Sequence, residues 1–166
     1  MKLSTFTGLA FGALLLCSSS AHADDFFFSF SDDGTGNVSG TVTGEIFGLT
    51  DNATSSATDV VIDSYPAGLV EFGSYPTPID VFPWGAWSEN SFTVFNGQIT
   101  AGAFSITSGT NDQLLIDSAC CGGPGTNRLT LGSFGALYVE NANGISPTGV
   151  TFTAVTTPEP ASTVPL

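Results

Sequence analysis

Short runs of β-branched and aromatic residues, separated by Gly, Pro, Asn, Asp and Ser, follow one another along most of this chain. None of them keeps an apolar spacing of three to four residues for three turns, as an amphipathic helix would. Period-two alternation is clearest where Phe26, Phe28 and Phe30 share one face of a strand and Phe27 and Ser29 share the other. The pattern predicts an all-β fold, a single antiparallel β-sandwich or jelly-roll-like domain.

The segment over residues 38–49 carries an unusual form of this alternation. Val42 and Ile46 share a face with Gly44 and Gly48, so large side chains and glycines take turns along one side of the strand. Such glycines leave slots for bulky side chains from a facing strand. We expect the phenylalanines of the first strand to fill these slots.

The rest of the predicted domain, residues 24–155, is a series of strands and turns. Asn96-Gly97 is a strong signal for a two-residue hairpin. A polar turn is expected at residues 52–57, a long ordered loop at residues 72–90, and a disordered tail at residues 156–166. Further strands are expected at residues 59–63, 92–95, 98–107, 114–117, 128–131, 136–140 and 150–155. Together with the first two strands, this gives a domain of eight or nine strands.

Residues 1–23 have the pattern of a secretory signal peptide. Lys2 precedes an apolar run over residues 9–16, and Ala21-His22-Ala23 supplies the small residues that signal peptidase recognises. We therefore expect signal peptidase as a partner and export with cleavage before Asp24. No stretch reaches the roughly 18 uninterrupted apolar residues of a spanning helix, so no stable membrane anchor is predicted.

The charge of the predicted mature chain is strongly negative. Lys2 and His22 lie in the signal peptide, which leaves Arg128 alone with the 15 Asp and Glu residues. This field repels nucleic acid and anionic membranes, so no nucleic-acid partner is expected. Its simplest interpretation is a solvated surface that keeps a secreted protein soluble.

Most enzyme classes are disfavoured by the same residue content. Without His or Lys in the mature chain, nucleophilic triads are excluded. A carboxylate pair remains, as in glycoside hydrolysis, but Asp59 and Asp63 on one strand face are about 13 Å apart at strand rise. That span exceeds the roughly 5–9.5 Å of glycosidases. We predict no enzyme, no catalytic residue and no cofactor, with a two-carboxylate glycosidase as a third hypothesis.

An acidic turn at residues 32–37 offers oxygen atoms that a calcium ion prefers. Its candidate ligands are Asp32, Asp33 and Asn37. Asp and Asn in turns more often hydrogen-bond their own backbone. No metal site is therefore predicted.

The candidate binding site is the loop at residues 72–90, which contains Tyr75, Trp84 and Trp87 among three prolines. Flat aromatic faces of this kind stack on sugar rings, and proline neighbours lower the ordering cost of binding. The alternative is that the rings fold inward and close one end of the sandwich, as large aromatic residues do more often.

Cys120 and Cys121 are adjacent in a chain expected to reach an oxidising compartment. A trans peptide holds their Cα atoms about 3.8 Å apart, below the usual disulfide range, so a bridge between them would be strained. Residues 122–125 can absorb that strain in a turn. We favour this vicinal disulfide as a structural staple over an interchain disulfide or two separate thiols.

The C-terminal sequence Thr157-Pro158-Glu159-Pro160-Ala161-Ser162 resembles the start of the PEP-CTERM sorting signal of exported proteins from biofilm-forming Gram-negative bacteria. Residues 40–52, 91–100 and 150–153 are similar to segments of many members of that family. In the family, the motif leads into a membrane helix and an arginine cluster that an exosortase processes. Exosortase is thus an expected partner only if the sorting signal is complete in the gene.

The resemblance implies a place at the cell surface or in the exopolysaccharide matrix, and it implies no reaction. We therefore expect a secreted, non-enzymatic matrix or surface protein that associates with exopolysaccharide. The alternative is a carbohydrate-binding module that uses Tyr75, Trp84 and Trp87.

Overall fold

The predicted all-β sandwich is confirmed. The computed structural model describes residues 23–70, 75–85, 87–117, 125–132, 137–142 and 149–156. Two 3₁₀ turns, Ala67–Leu69 and Phe82–Trp84, are its helical elements in these ranges. The strands of the described ranges are β1 (Ala23–Ser31), β2 (Thr41–Thr50), β3 (Ala53–Ser55), β4 (Asp59–Ser64), β5 (Ile79–Asp80), β6 (Trp87–Phe95), β7 (Gln98–Thr107), β8 (Gln113–Asp117), β9 (Asn127–Thr130), β10 (Tyr138–Asn141) and β11 (Thr151–Ala154).

These strands form two antiparallel sheets. Sheet A has the order β11-β1-β2-β4-β5, and sheet B has the order β10-β9-β8-β7-β6-β3. The inner faces of both sheets supply one continuous hydrophobic core. Neither 3₁₀ turn, and no other helix within the described ranges, has the length and hydropathy to cross a bilayer.

The register of β1 fixes what faces the core and what faces outward. Phe26, Phe28 and Phe30 are at most 2% exposed, whereas Phe27 is 44% exposed. Successive side chains of a strand point to opposite faces, so a slip by one residue would exchange the two sets. The predicted alternation in β1 is confirmed.

A phenylalanine covers a glycine of the neighbouring strand in each sheet. Phe28 pairs with Gly44, and a Cβ atom at Gly44 would lie 2.5 Å from the Phe28 ring and would also meet the carbonyl oxygen of Val61. Phe92 pairs with Gly102 and covers it in the same way. The predicted slot at Gly44 is therefore present, although its ring comes from the adjacent strand rather than from a facing one.

Gly48 departs from the predicted alternation because it belongs to a β-bulge. Asp25 on β1 opposes two residues of β2, and Gly48 has a φ of +73°, which favours glycine. The Asp25 carboxylate accepts a hydrogen bond from the Gly48 N–H at 2.8 Å. The extra residue shifts the inward-facing positions of β2 from even-numbered to odd-numbered residues. Ile46 and Leu49, on either side of the bulge, are therefore both fully buried.

The predicted hairpin is present. Asn96 and Gly97 have φ values of +51° and +69°, and the flanking residues Phe95 and Gln98 pair with each other. Positive φ at both central residues is the requirement of the turn that best matches strand twist.

Two segments are more ordered into strands than the sequence indicated. The expected polar turn at residues 52–57 contains β3, which pairs with β6. The expected loop at residues 72–90 contains β5, which pairs with β4, and its end from Trp87 to Asn90 belongs to β6. The Asn90 side chain explains part of this difference, because its amide accepts the Ala57 N–H at 2.8 Å and donates to the Ala57 carbonyl at 3.0 Å.

We predict that Gly44→Ala lowers the free energy of unfolding by about 1–3 kcal/mol, because the new methyl group enters space held by Phe28 and by backbone. Urea denaturation measures this change. Gly109→Ala is the matched control, since a Cβ there meets nothing within 4 Å. A Gly44→Ala protein as stable as the Gly109→Ala protein would contradict the close packing of Phe28 on Gly44.

Candidate functional site

The three predicted binding aromatics lie in different surroundings. Tyr75 and Trp84 are partly buried and pack against the core, whereas Trp87 is 48% exposed. The ring centroids of Trp87 and Phe82 are 5.1 Å apart. The Phe82 ring in turn stacks on that of the buried Phe104, with 6.2 Å between the centroids. Trp87 is thus the outermost of a row of rings that starts in the core.

Tyr75 is tied to a buried carboxylate. Asp112 is 5% exposed, and its Oδ1 accepts the Gly132 N–H at 2.7 Å and the Tyr75 hydroxyl at 3.2 Å. Its Oδ2 accepts the hydroxyls of Ser108 at 2.9 Å and Thr110 at 2.8 Å. Burial alone would raise the pKa of Asp112, but these hydrogen bonds outweigh it and hold the pKa below its ordinary value.

A second tyrosine holds the backbone of Tyr75. The Tyr65 hydroxyl accepts the Tyr75 N–H at 2.9 Å and donates to the Tyr75 carbonyl at 2.7 Å. Sequence reasoning missed both Tyr65 and Asp112, because their partners are distant along the chain. Through these contacts, Tyr75 anchors the loop to the rest of the fold.

The acidic turn at residues 32–37 uses its side-chain oxygens within the fold. Asp32 Oδ1 accepts the Gly36 N–H at 2.8 Å, and Asn37 Oδ1 accepts the Tyr138 N–H at 2.8 Å. Asp33 Oδ2 accepts the Ala142 N–H at 3.0 Å. In the part of the chain that the structure describes, no group of three or more side chains is placed to hold a metal ion.

The acidic group that acts on Asp59 is Asp80, on the neighbouring strand β5, and not Asp63. Burial is the main cause that raises the pKa of Asp59, and the neighbouring Asp80 carboxyl group raises this pKa further. The hydrogen bond from the Val60 N–H acts in the opposite direction and lowers the pKa. Asp63 lies apart, at an irregularity in the β2–β4 register.

A groove of about 320 Å³ opens on the outer face of sheet A, across β11, β1, β2 and β4. Three hydroxyl residues cross it as register partners, in the order Thr151, Ser29, Thr43. The Thr43 hydroxyl also shares a hydrogen bond of 2.7 Å with that of Ser64. The groove volume lies at the lower end of the roughly 300–1,000 Å³ of small-molecule sites.

Phe27 is the outward aromatic side chain of this groove, and Asp63 is its carboxylate. The register places Thr153 on one side of Phe27 and Glu45 on the other. Burial, then the charges of Asp63 and Asp25, raise the pKa of Glu45, and burial raises the pKa of Asp63. The groove therefore brings together an apolar ring, hydroxyl groups and the Asp63 carboxyl group, and Glu45 stands beside Phe27 at its margin.

No Lys, Arg or His occurs in the five strands of sheet A as the structure defines them. Arg128 belongs to β9 in sheet B, where its Nη1 atom lies 3.6 Å from Glu140 Oε2. Its Cζ atom lies over the Tyr138 ring, 4.0 Å from the ring centroid. The carboxylates beside Phe27 thus have no cation on their own sheet.

A second groove of about 520 Å³ runs between β11 and the β6–β7 hairpin. Val150, Ile99 and Phe152 give it apolar walls, and Gln98 contributes a polar group. It borders the free edge of β11, because β11 pairs only with β1 within the described sheets.

Several predicted sites lie outside the described residues. They include the cysteine pair, for which the vicinal disulfide stays a prediction, and most of the processing residues. Ala23, the last residue of the predicted signal peptide, starts β1 and pairs with Thr50. The residues outside the described ranges are Cys120, Cys121, Ala21, Pro158, Glu159 and Pro160.

Comparison of the chain with family models, with curated proteins and with solved structures finds no match. Interpretation of the groove therefore depends on its own geometry.

Asp112→Asn is expected to lower the free energy of unfolding by about 1.5–3 kcal/mol at pH 7, because a charged acceptor of several hydrogen bonds is lost. Stability from a lowered carboxyl pKa is present above the unfolded pKa of about 3.9 and disappears as the pH falls through the folded value. The difference from wild type should thus shrink below about pH 4.

Urea denaturation across this pH range measures the effect. Tyr75→Phe is the control, because it removes one of the four hydrogen bonds that the Asp112 carboxylate accepts and should lower the free energy of unfolding by about 0.5–1.5 kcal/mol. A loss of stability in Asp112→Asn that stays the same across this pH range would contradict an ionised Asp112 in the folded protein.

Proposed function

We propose that this chain is exported and acts, without catalysis, as a component of the cell surface or exopolysaccharide matrix of a Gram-negative bacterium. The signal-peptide pattern of residues 1–23 supports export, and the Pro158-Glu159-Pro160 motif supports the sorting route. The observation that carries association with a polysaccharide is the groove on the outer face of sheet A.

The groove offers each kind of contact that a sugar makes. Ser29, Thr43 and Thr151 line it with hydroxyl groups. The Thr43 hydroxyl shares a hydrogen bond with that of Ser64 and the Thr151 hydroxyl donates to the Ser29 carbonyl, so both oxygens keep lone pairs that can accept from a sugar hydroxyl. The Asp63 carboxylate also accepts hydrogen bonds, and Phe27 offers an apolar ring for the C–H face of a pyranose. All five side chains stand on paired strands, so little ordering is required when a ligand binds.

The aromatic loop is the second candidate site, and Trp87 supports it. Its ring is 48% exposed and rests on Phe82, which the core holds through Phe104. A sugar stacked there would be bound by Trp87 principally, since Tyr75 and Trp84 are partly buried.

Co-sedimentation of residues 24–166 with exopolysaccharide from the producing strain tests this function. We expect the wild-type chain to sediment with the polymer. Phe27→Ala should weaken binding roughly tenfold, the equivalent of about 1.4 kcal/mol, because the apolar ring is lost from the groove. Phe95→Ala is the matched control, since Phe95 is 59% exposed at the hairpin, away from the groove.

The variant Trp84→Ala plus Trp87→Ala separates the two candidate sites. Loss of binding in that variant, with Phe27→Ala unaffected, would move the site to the aromatic loop. Failure of folded wild-type protein to sediment with the polymer would contradict the association itself.

A further inference from the structure

The groove on sheet A has a charge that nothing on its sheet balances. Asp63 lines it, Glu45 flanks Phe27 through the β1–β2 register, and the charges of Asp63 and Asp25 both reach Glu45. Among the described residues, no donor forms a hydrogen bond to the carboxylate of Glu45 or of Asp63. This differs from Asp112, whose oxygens accept four hydrogen bonds from the protein.

Such carboxylates are complementary to a ligand that brings its own positive charge. An ammonium group between Asp63 and Glu45 would relieve their mutual repulsion and form charge-assisted hydrogen bonds with them. Phe27 stands directly beside Glu45 in the pairing of β1 with β2, so the same group also comes within reach of an aromatic face.

The remaining groups require more than a simple cation. Thr151, Ser29 and Thr43 form a row of hydroxyl groups across three strands, which is wider than a single small cation beside Asp63 can reach. Phe27 presents an apolar ring that needs an apolar ligand face. A ring with hydroxyls, a C–H face and an ammonium group meets all three demands.

We propose that the groove on sheet A binds a polysaccharide with free amino groups, that is, units of an amino sugar of the glucosamine type. This inference rests on the proposed association with a polysaccharide and names the glycan class. The ammonium group binds between Asp63 and Glu45, the pyranose face packs on Phe27, and the ring hydroxyls bond to Thr151, Ser29 and Thr43.

The geometry also defines which glycans bind poorly. N-acetylation removes the charge, so an acetylated unit leaves both carboxylates partly desolvated without a cation. Uronic acid polymers bring further negative charge to Asp63, Glu45 and Asp25 and are repelled.

Isothermal titration of residues 24–166 with glucosamine tetrasaccharide, compared with its fully N-acetylated form and with a neutral cellotetraose, tests the proposal. We expect the amino tetrasaccharide to bind at least tenfold more tightly than either of the others. Phe27→Ala and Asp63→Asn should each weaken it roughly tenfold, about 1.4 kcal/mol.

Two variants control for a general attraction between an acidic protein and a cationic ligand. Glu89→Gln removes the same charge from β6 of sheet B, where Glu89 is exposed, and Phe95→Ala removes an exposed ring at the hairpin. Both should bind like wild type. Circular dichroism of every variant confirms that the fold is retained before binding is compared.

The outcomes separate the proposal from the function on which it rests. Equal binding of the acetylated and free amino forms, lost in Phe27→Ala, would overturn the amino-sugar inference and leave polysaccharide association intact. Equal weakening by Glu89→Gln and Asp63→Asn would overturn it as non-specific attraction. Absence of binding to all three oligosaccharides and to the exopolysaccharide would overturn both.

Discussion

The register of β1 between β2 and β11 is the constraint on which the rest of the structure depends. In this register Phe28 covers Gly44 and enters the core, and the next residue toward the N terminus, Phe27, stands on the outer face beside Glu45. Because side chains alternate along a strand, one shift would place polar residues in the core and remove the ring from the groove. The core and the candidate site are thus two faces of one strand.

Two groups of carboxylates show how the same chemical group serves the fold or remains available for a ligand. Asp112 is buried and fully supplied with donors, so it anchors the Ser108 turn, Gly132 and Tyr75 to one another. Asp63 and Glu45 are half-buried on the outer face of sheet A, where burial disfavours the ionisation of both and the charges of Asp63 and Asp25 add to this at Glu45. Neighbouring contacts, rather than residue type, distinguish the anchoring carboxylate from the two that we propose as recognition groups.

Local patterns in the sequence were sufficient for most of the strands, and they failed where a distant partner decides the structure, as at β3, β5 and the start of β6. Alternation predicted β1, and Asn96-Gly97 predicted the hairpin, since both signals are local. The Gly48 bulge depends on Asp25 from another strand, and the loop anchor at Asp112 depends on Tyr75. The sequence also places Phe27 outward, but the groove exists only because the sheet order brings β11 and β4 to β1 and β2.

In this structure β1 divides its phenylalanines between the core and the groove. Solvent relaxation of the phenylalanine ring signals by NMR measures that division directly. A soluble paramagnetic agent is added to residues 24–166 carrying labelled phenylalanine, and ring signals are followed by NMR. We expect strong broadening of the Phe27 signals and no broadening of those of Phe26, Phe28 and Phe30. Protection of Phe27 together with broadening of Phe26 or Phe28 would contradict the register and the site built on it.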